Sequence, residues 1–183
     1  FIKMDIVLIV AAFILYFLYD KNQIQLHQKW LQPSFFLGSF LLAVGIIYAY
    51  IQSWHQNVNY VFVVIAIVFF IFLIYVLFFA LPFSDTYVEE NIHKVCQTGC
   101  YALCRHPGFW LLAGMMISLS LSVMTWHMWI VALIVNIGNF IYICYQDKVS
   151  FPCQFEDYNE YKKEVPFLLF TYQSIRKCID TWR

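Results

Sequence analysis

Charged side chains are scarce in this sequence, and their scarcity excludes several kinds of protein. Asp, Glu, Lys and Arg make up only 12% of the 183 residues, which is about half the share of a soluble domain. The net charge is zero and there is no basic stripe, so no nucleic-acid partner is expected. The length suits a single domain, 1–183, because it is too short for two domains of ordinary size.

Closely spaced Cys-x-x-Cys pairs are also missing. Zinc and iron–sulfur sites rely on Cys-x-x-Cys spacings, whereas Cys96, Cys100 and Cys104 lie four residues apart and are expected to share a helix face. Most of the six cysteines lie in or beside segments that the topology below assigns to the cytoplasm, where thiols stay reduced. We therefore expect thiols packed beside a loop, with no metal site.

Long apolar runs dominate the sequence instead. Hydrophobic residues make up 62% of the chain, and the mean hydropathy is +0.69. A helix needs roughly 20 apolar residues to cross a bilayer core of about 30 Å, and lipid cannot satisfy backbone polar groups outside a helix or barrel. We predict an all-α integral membrane protein with about five transmembrane helices, at 4–19, 34–51, 58–83, 109–124 and 126–145.

The basic residues predict how these helices are oriented. With five crossings, every Lys and Arg except Lys3 falls on one side of the lipid bilayer. The positive-inside rule then places the N-terminus outside and the C-terminus in the cytoplasm. The fourth and fifth spans are separated by almost nothing, which predicts a tight helical hairpin at 124–126.

Two polar stretches, 84–107 and 146–183, meet on the predicted cytoplasmic side. We divide the chain into three helices (1–83), a catalytic loop, hairpin and cofactor-binding segment (84–166), and a C-terminal tail (167–183). Phe155, Tyr158, Tyr161 and Val165 recur at helical spacing, which predicts a cytoplasmic amphipathic helix. By itself, such a helix would rest on the inner leaflet.

The segment Arg105-His106-Pro107 stands directly before an apolar helix. Pro107 suits the first helical position because its missing N–H costs nothing there. The first turn presents unbonded N–H groups and a positive dipole end, and Arg105 offers a planar fork, so the arrangement favours a carboxylate. The alternative is a snorkelling arginine with a histidine in the headgroup layer.

These residues form part of a wider motif. The loop resembles isoprenylcysteine carboxyl methyltransferases, whose signature runs His-x5-Gly-x-Tyr-x3-Arg-His-Pro-x-Tyr. The matching positions here are His93, Gly99, Tyr101, Arg105, His106, Pro107 and Phe109. The family also has an acidic pair and then Tyr-x-x-Tyr-x-x-x-Val-Pro, for which this chain has Gln146, Asp147, Tyr158, Tyr161, Val165 and Pro166. The resemblance covers 86–166.

The resemblance implies a cofactor, S-adenosylmethionine, and methyl transfer to a lipidated small molecule or prenylated peptide. As catalytic residues we predict Arg105, which would orient the acceptor carboxylate, and Asp147, which would orient Arg105 or the cofactor amine. The predicted cofactor-binding residues are His93, Val95, Cys96, Tyr101, His106, Pro107, Gly108, Phe109 and Gln146.

Three alternatives stay open. A phospholipid, amine or thiol methyltransferase of the same fold would carry the same motif. Membrane sterol-type reductases also look similar in this region and use NADPH, but they typically have Asn where this chain has Gly108. A non-catalytic scaffold would be compatible with Phe109, Leu111 and Gln146, which replace the family's usual Tyr, Gly and Glu.

Overall fold

A computed structural model describes residues 3–79 and 95–182, and every regular element within them is a helix. The predicted all-α fold is therefore confirmed for these residues. The helices are α1 (Met4–Lys21), α2 (Ser34–Ser53), α3 (Tyr60–Ile74), α4 (Cys100–Leu103), α5 (Pro107–Val123), α6 (Trp126–Tyr145), α7 (Phe151–Gln154), α8 (Tyr158–Glu164) and α9 (Tyr172–Asp180). Turns of π-helix follow α1, α3 and α6 at Asn22–Leu26, Tyr75–Phe79 and Gln146–Ser150.

Within the described residues, three helical segments are long and apolar enough to cross a membrane: Lys29–Ser53, Tyr60–Phe78 and Trp126–Gln154. The helix α5 is apolar but has only 17 residues. The helix α1 has 18 residues and carries charges near both ends. Of the third predicted span, residues 80–83 lie outside the described part, and the helix begins two residues later than predicted. That start is set by Asn59, whose side chain caps α3 by accepting from the Val61 N–H.

The surface of α3 supports a membrane location. Ala66 is the buried residue of this helix, while large apolar side chains such as Val61, Ile67 and Ile71 are more than half exposed. A helix that is hydrophobic all round is typical of a membrane span. Its apolar side chains therefore suit contact with lipid.

The helices approach closely where small residues face large ones. The helix α1 packs along α2, α3 along α5, and α5 along α6. At Gly45 of α2, a Cβ atom would come within 2.9 Å of the Ile9 side chain on α1. At Gly138 of α6, it would come within 2.6 Å of the Phe13 ring. Small residues at such crossings let membrane helices pack by van der Waals contact.

Only Met124 and Thr125 separate α5 from α6. Met124 ends α5 in a left-handed conformation, with φ at 50°, and its N–H donates to the Ser120 carbonyl at 2.8 Å. Thr125 then caps α6, because its side chain accepts a hydrogen bond from the Met128 N–H. The start of α5 and the end of α6 consequently lie close enough for their polar residues to meet.

The amphipathic helix predicted from Phe155 onward is α8. Its apolar residues Tyr158, Tyr161 and Val165 are no more than 2% exposed and pack against Val95, Phe151 and Phe155. This face is therefore covered by protein and is not available to the inner leaflet.

The loop cysteines and the predicted tail both differ in structure from what the sequence predicts. The three cysteines of the loop do not share a helix face. Cys100 is the one of them that lies within α4, and the backbone is already extended at Cys104. The predicted tail, 167–183, contains the helix α9, which packs against α4.

Candidate functional site

Arg105 and Asp147 form a buried ion pair between the loop and the π-helical turn after α6. The Arg105 Nε donates to Asp147 Oδ1 at 2.7 Å, and Nη2 donates to Oδ2 at 3.3 Å. The two side chains are only 9% and 8% exposed. Because two hydrogen bonds join the pair, the orientation of the guanidinium plane is fixed as well as the position of its charge.

The other donors of Arg105 bind the last turn of α8 and the residues that follow it. Nη1 donates to the carbonyls of Lys162 at 3.0 Å and Val165 at 2.9 Å. The Arg105 backbone N–H donates to Pro166 at 3.0 Å. A guanidinium has five N–H groups, so one on Nε, two on Nη1 and one on Nη2 are engaged. Within the described residues, these four bonds hold the guanidinium between the loop, the turn after α6 and the end of α8.

Two further side chains hold Asp147. The Tyr158 hydroxyl donates to Oδ1 at 2.8 Å, and Lys162 Nζ lies 2.8 Å from the Asp147 carbonyl oxygen and 3.2 Å from Oδ2. Burial, reinforced by the bond to Asp147, raises the pKa of Tyr158, so this hydroxyl remains a donor at neutral pH. The positive charges of Arg105 and Lys162 exceed the single negative charge of Asp147, so these three side chains carry one net positive charge.

His106 lies beside this cluster with a buried, unbonded nitrogen. Its ring stacks on Phe151 at 5.7 Å and meets the edge of Phe167 at 5.2 Å. Nε2 is 3.7 Å from Asp147 Oδ1, too far for a hydrogen bond, and no other partner for it occurs in 3–79 and 95–182. Burial lowers the pKa of His106 despite the opposing effect of Asp147, so the ring is neutral at neutral pH.

Tyr101 joins the loop to both neighbouring segments. Its hydroxyl donates to the Val76 carbonyl at 3.0 Å, and its own carbonyl accepts from the Tyr161 hydroxyl at 2.6 Å. Burial raises the pKa of both phenols, which keeps them protonated. The Tyr101 hydroxyl is thus already committed to the fold, which leaves its ring as the part that a ligand can contact.

The first described residues of the loop, from Val95 onward, pack against the segment that leads into α8. The Val95 N–H donates to Asp157 Oδ1 at 3.0 Å, and the Val95 side chain packs on the buried face of α8. Cys96 is half-buried, with its sulfur 3.6 Å from the Thr98 hydroxyl. His93, also predicted to bind the cofactor, lies outside the described residues.

The predicted residues at the start of α5 have different surroundings. Pro107 is buried at the first turn, as its position after His106 predicts. Gly108 faces α3, because a Cβ atom there would lie 3.5 Å from Leu73. The Phe109 ring makes edge contacts with Trp110 and with Phe140 of α6.

Gln146 is turned away from Arg105 although it adjoins Asp147. Its Nε2 donates to the Tyr142 hydroxyl at 2.9 Å, and Tyr142 in turn neighbours Asp20 of α1. The structure therefore brings Arg105, His106 and Asp147 into one cluster and places Gln146 on another face of the same turn.

Sequence reasoning missed Lys162, Phe151 and Phe167 as members of this cluster. Lys162 served only as one of the basic residues that predict orientation. It follows Tyr158 by four residues, a spacing that places two residues on one helix face, and this was the available signal. The two phenylalanines carried no such signal, because their positions depend on how the chain folds back after α6.

A second polar cluster lies at the opposite ends of α1 and α6. Asp5 is fully buried, with Oδ2 2.7 Å from His127 Nε2, and Lys3 Nζ lies 3.1 Å from His127 Nδ1. A cavity of about 410 Å³ opens beside Lys3, Ser53 and His127. None of the predicted site residues lines this cavity.

The cluster around Arg105 suits an anion. It offers the buried guanidinium of Arg105, a buried neutral imidazole that can donate through Nε2, and a net positive charge, and a carboxylate fits these groups. Comparisons of the chain with protein-family models, with curated proteins and with solved structures found no match.

Proposed function

We propose that this chain is an S-adenosylmethionine-dependent membrane methyltransferase that acts on a lipid-bearing acceptor, by carboxyl O-methylation of an isoprenylcysteine-like group. The observation that carries the proposal is the Arg105–Asp147 pair. The pair joins the two segments in which the sequence resembles the isoprenylcysteine carboxyl methyltransferases. Such an arrangement is expected if the two motifs serve one site.

The proposal includes five crossings, with α1 and α5 spanning the bilayer beside the three longer segments. The packing of α1 along α2 and of α5 along α3 supports this number. Met124 and Thr125 would form the tight turn of a hairpin between α5 and α6. The distribution of Lys and Arg favours an outside N-terminus and a cytoplasmic C-terminus, with the Arg105 cluster at the cytoplasmic face.

The described residues fit the proposed cofactor. The unbonded Nε2 of His106 and the positive charge around it suit the carboxylate of S-adenosylmethionine. The aromatic rings of Tyr101 and Phe109 are candidates for contact with its cationic sulfonium. When bound, the cofactor supplies an electrophilic methyl group. The resemblance alone adds His93, Val95, Cys96, Pro107, Gly108 and Gln146 to the proposed set, although Gly108 faces α3 and Gln146 points to Tyr142.

The locked state of Asp147 favours a carboxylate as the methyl acceptor. An amine or thiol must lose a proton before it is methylated, whereas a carboxylate is ionised at neutral pH. Asp147 is held by Arg105, Tyr158 and Lys162, so it is poorly placed to accept a proton. His106 is buried against two rings. The Asp147 carboxylate is thus suited to hold Arg105 rather than to take a proton from an acceptor.

In this proposal Asp147 orients Arg105, and the positive charge of Arg105 orients the acceptor carboxylate. The acceptor's lipid tail lies between the spans and enters from the inner leaflet. The protein then contributes alignment of the reacting atoms and removal of water, since no proton has to move.

The proposal is tested by incubating purified protein with methyl-labelled S-adenosylmethionine and three acceptors: N-acetyl-S-farnesylcysteine, phosphatidylethanolamine and an alkyl thiol. We expect label only in the farnesylcysteine product, in a form that mild alkali releases as methanol, as for a methyl ester. His106→Asn should abolish the transfer, whereas Gln173→Ala, on the exposed side of α9, should leave it unchanged. Label in another acceptor would contradict carboxyl methylation, and no transfer by folded protein would contradict the proposal as a whole.

A further inference from the structure

The helix α9 is attached to the loop by one of its sides. Ser174 and Cys178 are buried on that side, which packs against α4. The Gly99 N–H donates to the Thr181 hydroxyl at 3.0 Å, just beyond the end of α9. The start of α9 is fixed by a reciprocal cap between Thr171 and Ser174. The helix is therefore an ordered element with a defined inner side.

The neighbouring side of α9 is apolar and uncovered. Its large residues follow at three- and four-residue spacing, and two more precede the helix: Leu169, Phe170, Tyr172, Ile175, Ile179 and Trp182, of which Tyr172 is 80% and Ile179 68% exposed. Gln173 and Asp180 lie on the polar side, and Arg176 lies at the edge between the two sides. This pattern is typical of a helix that lies in the plane of a membrane interface.

Contacts at the start of α5 join this apolar side to the surface of the spans. The Trp110 indole N–H donates to the Leu168 carbonyl at 2.9 Å, and the Trp110 ring lies 6.2 Å from the Phe170 ring. Trp110 is in the first turn of an apolar helix and is itself 42% exposed. Tryptophan at the end of a span is typical of the headgroup level. The uncovered side of α9 thus begins at the depth where a membrane surface is expected.

We propose that the exposed apolar side of α9, with Leu169 and Phe170, is seated in the headgroup layer of the bilayer that the spans cross. Arg176, at the polar edge, is then placed to contact anionic lipid headgroups. Because the inner side of α9 carries α4, the membrane holds the loop that leads to Arg105. This inference requires a membrane location but does not require methyl transfer, so it can hold if the proposed activity fails.

The inference is tested with photo-crosslinking of the full chain in phospholipid nanodiscs. The photoreactive residue p-benzoylphenylalanine replaces Ile179 on the apolar side or, as the matched control, Gln173 on the polar side. After illumination, we expect a mass increase of one phospholipid at position 179 and none above background at position 173.

Two results would overturn the inference. Equal lipid adducts at the two positions would mean that α9 is not oriented by a membrane surface. A crosslinked dimer from position 179 in place of a lipid adduct would mean that a second copy of the chain covers this side. The same replacement at Ile175 guards against misfolding at a single position, and a monodisperse elution profile identifies folded protein before illumination.

Discussion

At the scale of the residue, Arg105 is bound mainly by the protein itself. Asp147 takes two of its hydrogen bonds, and the carbonyls of Lys162 and Val165 take two more. A lysine cannot replace it, because an ammonium lacks the planar fork that spans these partners. Arg105 is therefore both a candidate ligand-binding residue and the link between the loop and the end of α8.

Removing the Asp147 charge should destabilise the fold. Asp147→Asn keeps the size of the side chain but leaves Arg105 and Lys162 without their buried counterion. We expect the free energy of unfolding to fall by roughly 3–5 kcal/mol, as when one partner of a buried ion pair is removed. Unfolding by SDS in mixed micelles measures this. The control is Asp180→Asn, at an exposed pair, for which we expect a change within about 0.5 kcal/mol. Equal effects of the two variants would contradict the described pair.

His106 should make stability depend on pH in the weakly acidic range. Burial lowers its pKa in the folded state below the usual 6.5, so the unfolded chain takes up the proton first. Stability is therefore lost as the pH falls through 6.5 and stops falling below the lowered pKa of the folded state. We expect His106→Asn to have a flatter stability profile than the unmodified protein between about pH 7 and pH 5. Identical slopes for the two proteins would contradict a buried, neutral His106.

At the scale of the element, the length of the apolar runs predicted α2, α3 and α6 well, because a long apolar run is enough to identify a candidate span. It could not predict which partner covers a short amphipathic helix. Tyr158 and Tyr161 look the same in sequence whether they face lipid or protein, and here their hydroxyls find partners at Asp147 and Tyr101. Those partners lie far away in sequence, so only the folded chain reveals them.

The loop and α8 should open as one unit. Tyr161→Phe removes the 2.6 Å hydrogen bond to the Tyr101 carbonyl and leaves that acceptor without this partner, at a cost of about 1–3 kcal/mol. We expect faster amide hydrogen exchange in both 95–106 and 158–166, and no change in α1 or α2. The matched control is Tyr172→Phe, at an exposed phenol, which should leave both segments unchanged. Faster exchange confined to α8 would show that the two segments open independently.

At the scale of the whole molecule, the few Lys and Arg residues determine the predicted topology. The five crossings proposed above would place the α2–α3 connection outside and the C-terminus in the cytoplasm. A fluorescent protein fused to the C-terminus should therefore fluoresce in a bacterial host, and alkaline phosphatase inserted after Asn57 should be active. The reverse pattern would contradict the orientation, and phosphatase activity at both positions would contradict an odd number of crossings between them.

The candidate site could be predicted only in part. Arg105, His106 and Asp147 were identified through their resemblance to a family motif, and the structure brings these three together. Gln146 was predicted because it matches the first position of the family's acidic pair, but adjacent residues on a helix point in different directions, and its side chain meets Tyr142. Lys162 was missed because a solvent-exposed lysine and a lysine that bonds a buried carboxylate look identical in sequence.

Calorimetric titration of folded, detergent-purified protein tests the central claim most directly, with S-adenosylmethionine, S-adenosylhomocysteine and NADPH as ligands. The account predicts saturable binding of both adenosyl ligands, weaker binding in His106→Asn, unchanged binding in Gln173→Ala, and no binding of NADPH. Absence of binding by both adenosyl ligands would contradict it. In that case, binding of NADPH would favour a reductase, and binding of none of the three would favour a non-catalytic scaffold.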